Sequence, residues 1–412
     1  MRCFLFLSLL LGLPALQAET VGPWDLDALF QPPTFRWEDT SGPVHSLIYQ
    51  GQPVRGEATE VFAFYASPAT LDPQAQGPFP GVVLIHGGGG TAFAEWAWLW
   101  ARRGYAAIAM DLSGSRPPTP QYGADGQPVF NQASKQDSRT HLEHGGLGQG
   151  HPEKFDCIRT PDTSDDWPYH AAANAIRAHS LLRSLPAVDA DHTAVTGISW
   201  GGYTTCLVAS LDSRFQAAVP VYGCGFLYEG ESVQKPSIDQ LGEHRQAWIE
   251  AYDPSRLLTR CRVPILFVNG TNDVHYVLDS YQKSFDAVPG EKHMRIEVAM
   301  RHSHPAGWAP EEIGWFIDSK CRGGLPLPEL GDPVVQGTQV HAPLKAPSPI
   351  SEAALHYTTD TGLRSARKWQ KAPATVQGST VTAAAPPAAA NTWFLSVTDE
   401  RGAMITTPVQ FQ

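Results

Sequence analysis

The chain has no run of lysine or arginine: its 30 basic residues are scattered and outnumbered by 41 acidic ones, for a net charge of −11. That excludes the electrostatic footprint of a nucleic-acid-binding protein. No glycine-rich stretch ends in Gly-Lys-Ser/Thr or shows dinucleotide spacing, which excludes the usual phosphate-binding loops. A single His-x-His pair, His302 and His304, has no clear third and fourth ligand, so neither a metal nor an organic cofactor is expected. Nothing repeats at a solenoid period, and Ala383–Ala390 is the only biased tract. Cysteine is scarce, at six residues and five without Cys3, and the odd count leaves at least one thiol outside any pairing within the chain.

What is present begins with a leader. Arg2 is the only charge ahead of an apolar run from Phe4 to Leu13, and Ala18 offers a small residue for cleavage, although Leu16 is larger than the residue preferred two positions earlier. The run is short for a membrane-spanning helix. Residues 1–18 therefore read as a signal peptide, and the mature protein as exported, periplasmic or extracellular, without a membrane anchor. Export permits disulfides. Cys261, just before a strand, and Cys321, at the end of a helix, both fall at the sheet edge remote from the site described below and form the preferred bridge; five buried thiols are the alternative.

Strands with both faces apolar alternate with helical stretches from residue 61 onward: Val61–Tyr65, Gly81–Ile85, Tyr105–Met110, Thr193–Val195, Val219–Tyr222, Pro264–Val268 and Arg295–Ala299, with helices over Phe93–Arg103 and Tyr169–Leu185. This pattern predicts an α/β domain, residues 19–322, whose mostly parallel sheet is covered by helices on both sides. Residues 112–165 form a polar insertion rich in Gly, Pro, Gln, Asp and His, too polar for a lid that opens onto lipid and too long to be without function. Its His141, His144 and His151 read as loop surface, and a second insertion at 224–260 carries Trp248, Tyr252 and an Asp253-Pro254 turn. A Gly- and Pro-rich linker, 323–332, leads to an all-β sandwich over 333–412, with strands at Ala353–Thr358, Thr375–Ala383 and Thr392–Val397 and core bulk from Trp369 and Trp393. Its expected role is structural support, with carbohydrate binding as the alternative.

Gly197-Ile198-Ser199-Trp200-Gly201 lies between a strand and the helical run Thr204–Leu211. A Gly-x-Ser-x-Gly in that setting is a nucleophile elbow: a sharp, strained turn that pushes the serine hydroxyl out of the sheet and leaves room only for small neighbours. Serine needs a base, and the base an orienting acid, which in such folds follow in the order acid, then histidine. Asp273 lies in the turn after the strand at Pro264–Val268, where the acid belongs, although a turn or helix cap would also place an aspartate there. The loop after Met300 offers His302 and His304, and His302, nearer the strand end, is the preferred base. The oxyanion would be held by the N–H of Trp200 and an N–H from the loop His86-Gly87-Gly88-Gly89-Gly90, Gly88 being favoured.

These segments, with Arg103–Asp111, Val219–Gly225 and His302-Ser303-His304, resemble the acetylxylan esterase and dienelactone-hydrolase-related group of α/β-hydrolases over about residues 55–320. The resemblance implies a Ser199–Asp273–His302 esterase acting through an acyl-enzyme, with small-molecule or polysaccharide acetyl esters as substrate. Dienelactone hydrolases themselves use a cysteine nucleophile, from which Ser199 departs. A prolyl-oligopeptidase-like peptidase shares the elbow but usually carries a large propeller ahead of it, and a catalytically silent carbohydrate-binding protein would not need the ordered triad. A histidine base predicts that activity falls on acidification; a rate unchanged down to about pH 4 would exclude it.

Overall fold

The computed structural model describes residues 20–129, 138–150 and 154–412; the leader at 1–18 and His151 lie outside them. The strands of the first domain are β1 (Phe35–Asp39), β2 (His45–Gln50), β3 (Glu60–Ala66), β4 (Phe79–Ile85), β5 (Ala106–Met110), β6 (Val188–Ile198), β7 (Ala217–Val221), β8 (Ile265–Gly270) and β9 (Lys292–Glu297). They lie side by side in the order β1-β2-β3-β5-β4-β6-β7-β8-β9. β1, β2, β3 and β5 run antiparallel to one another in turn, and from β5 to β9 every pairing is parallel. β5 and β7 are buried at every position, which is why their sequences, Ala-Ala-Ile-Ala-Met and Ala-Ala-Val-Pro-Val, show no alternation.

Helices cover both faces. α1 (Ala94–Arg102), α2 (Trp167–Ser184), α3 (Trp200–Leu211), α4 (Leu278–Ala287) and α5 (Glu311–Cys321) are the main ones. α3 and α5 both pack on β6 and β7 but not on each other, so they lie on opposite faces; α2 joins α3, whereas Arg103, next to α1, bonds Glu311 and Asp318 of α5. This separation corrects the expected Cys261–Cys321 bridge. Cys261 follows a 3-10 turn packed on α3 and its thiol bonds the Val263 carbonyl, while Cys321 ends α5 on the other side of the sheet. Cys157, Cys206, Cys224, Cys261 and Cys321 are all free thiols.

Register sets where the loops emerge. Ile85 pairs with Gly197, Ile198 with Val221, and Val221 with Val268, so the residues that follow β4, β6, β7 and β8 leave the sheet along one line. The chain reverses its direction of travel across the sheet at β4, with β5 on one side and β6 on the other. That is the crevice where open α/β sheets bind ligands.

The second domain contains β10 (Gln339–Lys345), β11 (Ile350–Thr358), β12 (Gln370–Gln377), β13 (Thr380–Ala384), β14 (Thr392–Asp399) and β15 (Met404–Thr406). The single strand expected over Thr375–Ala383 is a hairpin, turned at Gly378 with φ 58°. Its sandwich core includes Val340, Leu355, Val381, Trp393, Leu395 and Val397. Phe394, on the opposite face of β14, belongs instead to the core of the first domain, together with Ile405 and Val409. Trp369 also packs on that side, 5.3 Å from Phe394, rather than filling the sandwich as expected. Met294 of β9 pairs with Thr406 of β15, so the sheet of the first domain continues into the second. Phe394 is fully buried at this junction. Phe394→Ala is expected to cost about 3–5 kcal/mol, read from the urea midpoint, against nearly nothing if the domains were merely tethered.

Candidate active site

β6 ends at Ile198 and α3 begins at Trp200, leaving Ser199 alone at φ 59°, ψ −117°, a conformation that non-glycine residues rarely adopt. Its N–H donates to the Val221 carbonyl (2.8 Å), and its own carbonyl accepts from Tyr203 N–H (2.9 Å). The flanking glycines are required by space. A Cβ on Gly197 would stand 2.2 Å from the Gly201 carbonyl oxygen, and one on Gly201 would stand 1.9 Å from that of Ile85.

The loop after β8 brings Asp273 to the same end of the sheet. Asp273 does close a turn, but that is half of what it does: Oδ1 accepts from the N–H groups of His275 and Tyr276 (2.8 Å each). Oδ2 meets His302 Nδ1 at 2.6 Å. The side chain of Asp273 is 2% exposed and that of His302 28%, so the carboxylate is enclosed and the imidazole partly open to solvent. Tyr222, the residue after the carbonyl that holds Ser199, stacks on the His302 ring at 4.5 Å and donates its hydroxyl to the Arg301 carbonyl at 2.6 Å. A chain of neighbouring contacts thus runs from Ser199 through Val221 and Tyr222 to His302 and Asp273.

His304 is placed elsewhere. Its Nε2 accepts from Gly87 N–H at 2.9 Å, which ties the histidine loop to the glycine loop. Burial, then the neighbouring His86 and His302, push its pKa down to about 3. The neutral ring is what an acceptor at Nε2 requires. His86 Nε2 accepts from Leu112 N–H (2.9 Å), so its proton sits on Nδ1, which donates to the Gly87 carbonyl (2.8 Å). The Gly90 carbonyl accepts from Arg139 and from Gln149 Nε2. Gly87 N–H is therefore occupied, whereas among the described residues the N–H groups of Gly88 and Trp200 have no protein partner. A Cβ on Gly88 would lie 2.9 Å from Trp200 Cδ1, so the glycine loop packs directly against the first side chain of α3.

The described part of the polar insertion packs against the elbow. Phe155 packs edge-on to Trp200 (5.9 Å), Trp167 does so from α2 (5.6 Å), and the Lys154 ammonium lies 5.1 Å over each of the Trp167 and Trp200 rings. Trp248 of the second insertion donates to the Lys154 carbonyl (2.8 Å). His141 and His144 are exposed, as expected of loop surface. Tyr222, Tyr276, Arg139, Gln149, Lys154 and Phe155 escape sequence reasoning; only Tyr222, at the end of a predicted strand, carried a positional signal.

The His304 environment has a thermodynamic signature. Its folded pKa of about 3 lies below the ordinary 6.5. Between these values the unfolded chain binds a proton that the folded chain refuses, so this group removes stability as the pH falls through that window. Gln offers an acceptor at a similar reach and does not titrate. His304→Gln is expected to lose less Tm than the wild type between about pH 7 and pH 4; equal losses would refute the assignment.

The acetyl xylan esterase family model matches residues 42–235, which hold the glycine loop and the elbow, and the prolyl oligopeptidase family model matches residues 162–313, which hold Ser199, Asp273 and His302. Among solved structures, the chain is similar to an acetyl xylan esterase from Paenibacillus sp. R4, at 20% identity and a TM-score of 0.55 over 72% of this chain and 92% of that one. It is also similar to acetyl xylan esterase 1 from Thermoanaerobacterium sp. JW/SL YS485, at 16% identity and a TM-score of 0.51 over 71% and 93%. At such identities the structures speak for the fold alone. No curated protein matches the chain by sequence. Strand order and elbow give the chain the α/β-hydrolase fold, within which its first half is similar to the acetyl xylan esterase family model and its middle to the prolyl oligopeptidase model.

Proposed function

We propose that the protein is an exported serine carboxylesterase that removes acetyl groups from carbohydrate esters. The observation that carries this reading is the 2.6 Å Asp273–His302 pair at the sheet end where Ser199 stands on its strained turn. His302 Nε2 takes the Ser199 proton as Oγ attacks the ester carbonyl, and Asp273 holds the ring by Nδ1 and stabilises the imidazolium. The N–H groups of Gly88 and Trp200 receive the charge that develops on the carbonyl oxygen. Collapse of this intermediate expels the alcohol with a proton from His302, leaving an acyl-Ser199; water, activated by the same histidine, releases the acid.

The polar character of the insertion supports a small acyl group on a hydrophilic alcohol rather than a lipid. The acetyl xylan esterase model over the elbow supports an acetylated polysaccharide as that alcohol. Among the described residues no helix is long and apolar enough to cross a membrane. Export rests on the leader at 1–18. The prolyl oligopeptidase match over the triad keeps a peptidase as the second reading.

A fluorophosphonate should label the wild type and not Ser199→Ala, whose turnover should fall at least about 10³-fold. A panel of p-nitrophenyl esters of rising chain length, acetylated xylan and a prolyl peptide separates the substrates. Acetate release from xylan with preference for the shortest acyl chain is expected. Hydrolysis of p-nitrophenyl acetate without acetate release from any acetylated carbohydrate would remove the carbohydrate and keep the esterase, whereas peptide cleavage alone would favour the second reading.

A further inference from the structure

A further histidine stands beside the base. The ring of His275, two residues beyond Asp273, lies 5.1 Å from that of His302 with the planes at 50°. Its place is fixed from two sides. Its N–H donates to Asp273 Oδ1 at 2.8 Å, within the turn that holds the acid. The second insertion grips the same turn through three successive residues. The buried Ser232 donates its hydroxyl to the His275 carbonyl (2.6 Å), Val233 N–H donates to the Val274 carbonyl (3.1 Å), and the buried Gln234 donates from Nε2 to His275 Nδ1 (3.2 Å).

That last bond sets the tautomer, because an Nδ1 that accepts leaves the proton of a neutral ring on Nε2. Burial, then the neighbouring His302, push the pKa of His275 below the ordinary histidine value, which favours this neutral form. Nε2 has no protein partner among the described residues and is not sealed in, so the half-buried ring keeps one N–H open to solvent beside the base. The two loops that meet here also expose the side chains of Val233 and Val274. A polar donor and apolar surface thus occur together, as the hydroxyls and C–H faces of a sugar require.

We propose that His275 recognises the alcohol half of the ester, donating from Nε2 to a hydroxyl or ring oxygen of the sugar that leaves. The inference rests on the carbohydrate-ester reading above. The chemistry of the base puts the alcohol there. When the tetrahedral intermediate collapses, His302 hands its proton to the departing oxygen, so that oxygen lies against the imidazole. A donor on a ring packed beside that imidazole meets the next groups of the alcohol, while the carbonyl oxygen is served by Gly88 and Trp200. A neutral N–H suits the task, since it adds no charge to compete with the imidazolium that forms on His302. His275 keeps its proton throughout and exchanges nothing with the substrate.

The test compares two leaving groups. His275→Asn keeps an acceptor within reach of Gln234 and withdraws the donor. The readout is the ratio of kcat/KM for acetate release from acetylated xylan, or from the acetylated carbohydrate the wild type deacetylates best, to kcat/KM for p-nitrophenyl acetate, whose leaving group carries no hydroxyl. This ratio should fall about 3- to 10-fold, the worth of one neutral hydrogen bond. His275→Gln, which can carry an amide N–H to the position of Nε2, should restore most of it. An equal fall on both substrates would overturn the proposal in favour of a positioning role toward His302, and unchanged rates on both would overturn it outright; either result leaves the carbohydrate reading standing. A wild type that hydrolyses p-nitrophenyl acetate but releases no acetate from any acetylated carbohydrate removes that reading, and this inference with it.

Discussion

The close approach of α3 to the end of β4 is the constraint on which the site depends. With a Cβ position on Gly201 only 1.9 Å from the Ile85 carbonyl oxygen, helix and strand meet backbone to backbone. A chain that must turn from β6 into a helix at that distance has one residue in which to do it, and Ser199 takes a strained conformation as a result. Such strain costs on the order of 1–3 kcal/mol and persists only where the surroundings impose it. Here the Val221 carbonyl holds the serine N–H and the fully buried strand β7 lies alongside. From this one contact follow the strained, half-buried Ser199 and the unpaired N–H of Trp200 at the start of α3.

Around that point, single groups link several loops. The Asp273 carboxylate holds two N–H groups of its own turn with one oxygen and His302 with the other, so the acid cannot be repositioned without moving Tyr276. Two histidines separated by one residue are driven to different chemistry by their surroundings. His302 stacks on Tyr222 beside a carboxylate, and His304, half-buried, lies against Phe93 (4.7 Å) with a backbone N–H as its partner. The glycine loop is pinned from three directions: His86 from within, His304 from the histidine loop, and Arg139 and Gln149 from the insertion.

Local chemistry made much of this legible in the chain. The elbow glycines, the apolar strand cores and the order of Ser199, Asp273 and His302 are written in short stretches of sequence, and the alternation of strands and helices carries the fold class. The misreadings have a common source in long-range packing. Thr375–Ala383 reads as one strand because its β-forming residues continue through the turn at Gly378. Trp369 and Trp393 look alike in composition, yet one packs on the first domain and the other fills the sandwich. Cys261 and Cys321 sit at matching ends of their elements, but which face of the sheet each occupies is decided by helices far away along the chain. Phe155 and Lys154 lie in a stretch with no periodicity, so nothing local marks them as the neighbours of Trp200.

The continuation of β9 into β15 bears on how the protein is made. Thr406 donates its hydroxyl to the Met294 carbonyl across 112 residues, and the loop bearing His302 leaves the same strand, β9. Contacts of such sequence separation form late, since a long loop must close before they repay its entropy. During synthesis the elbow and the acid turn emerge first, beside a sheet whose last edge is still open. β15 can close that edge only after the strands of the second domain that precede it have been made, so the second domain seals the sheet that carries the candidate site.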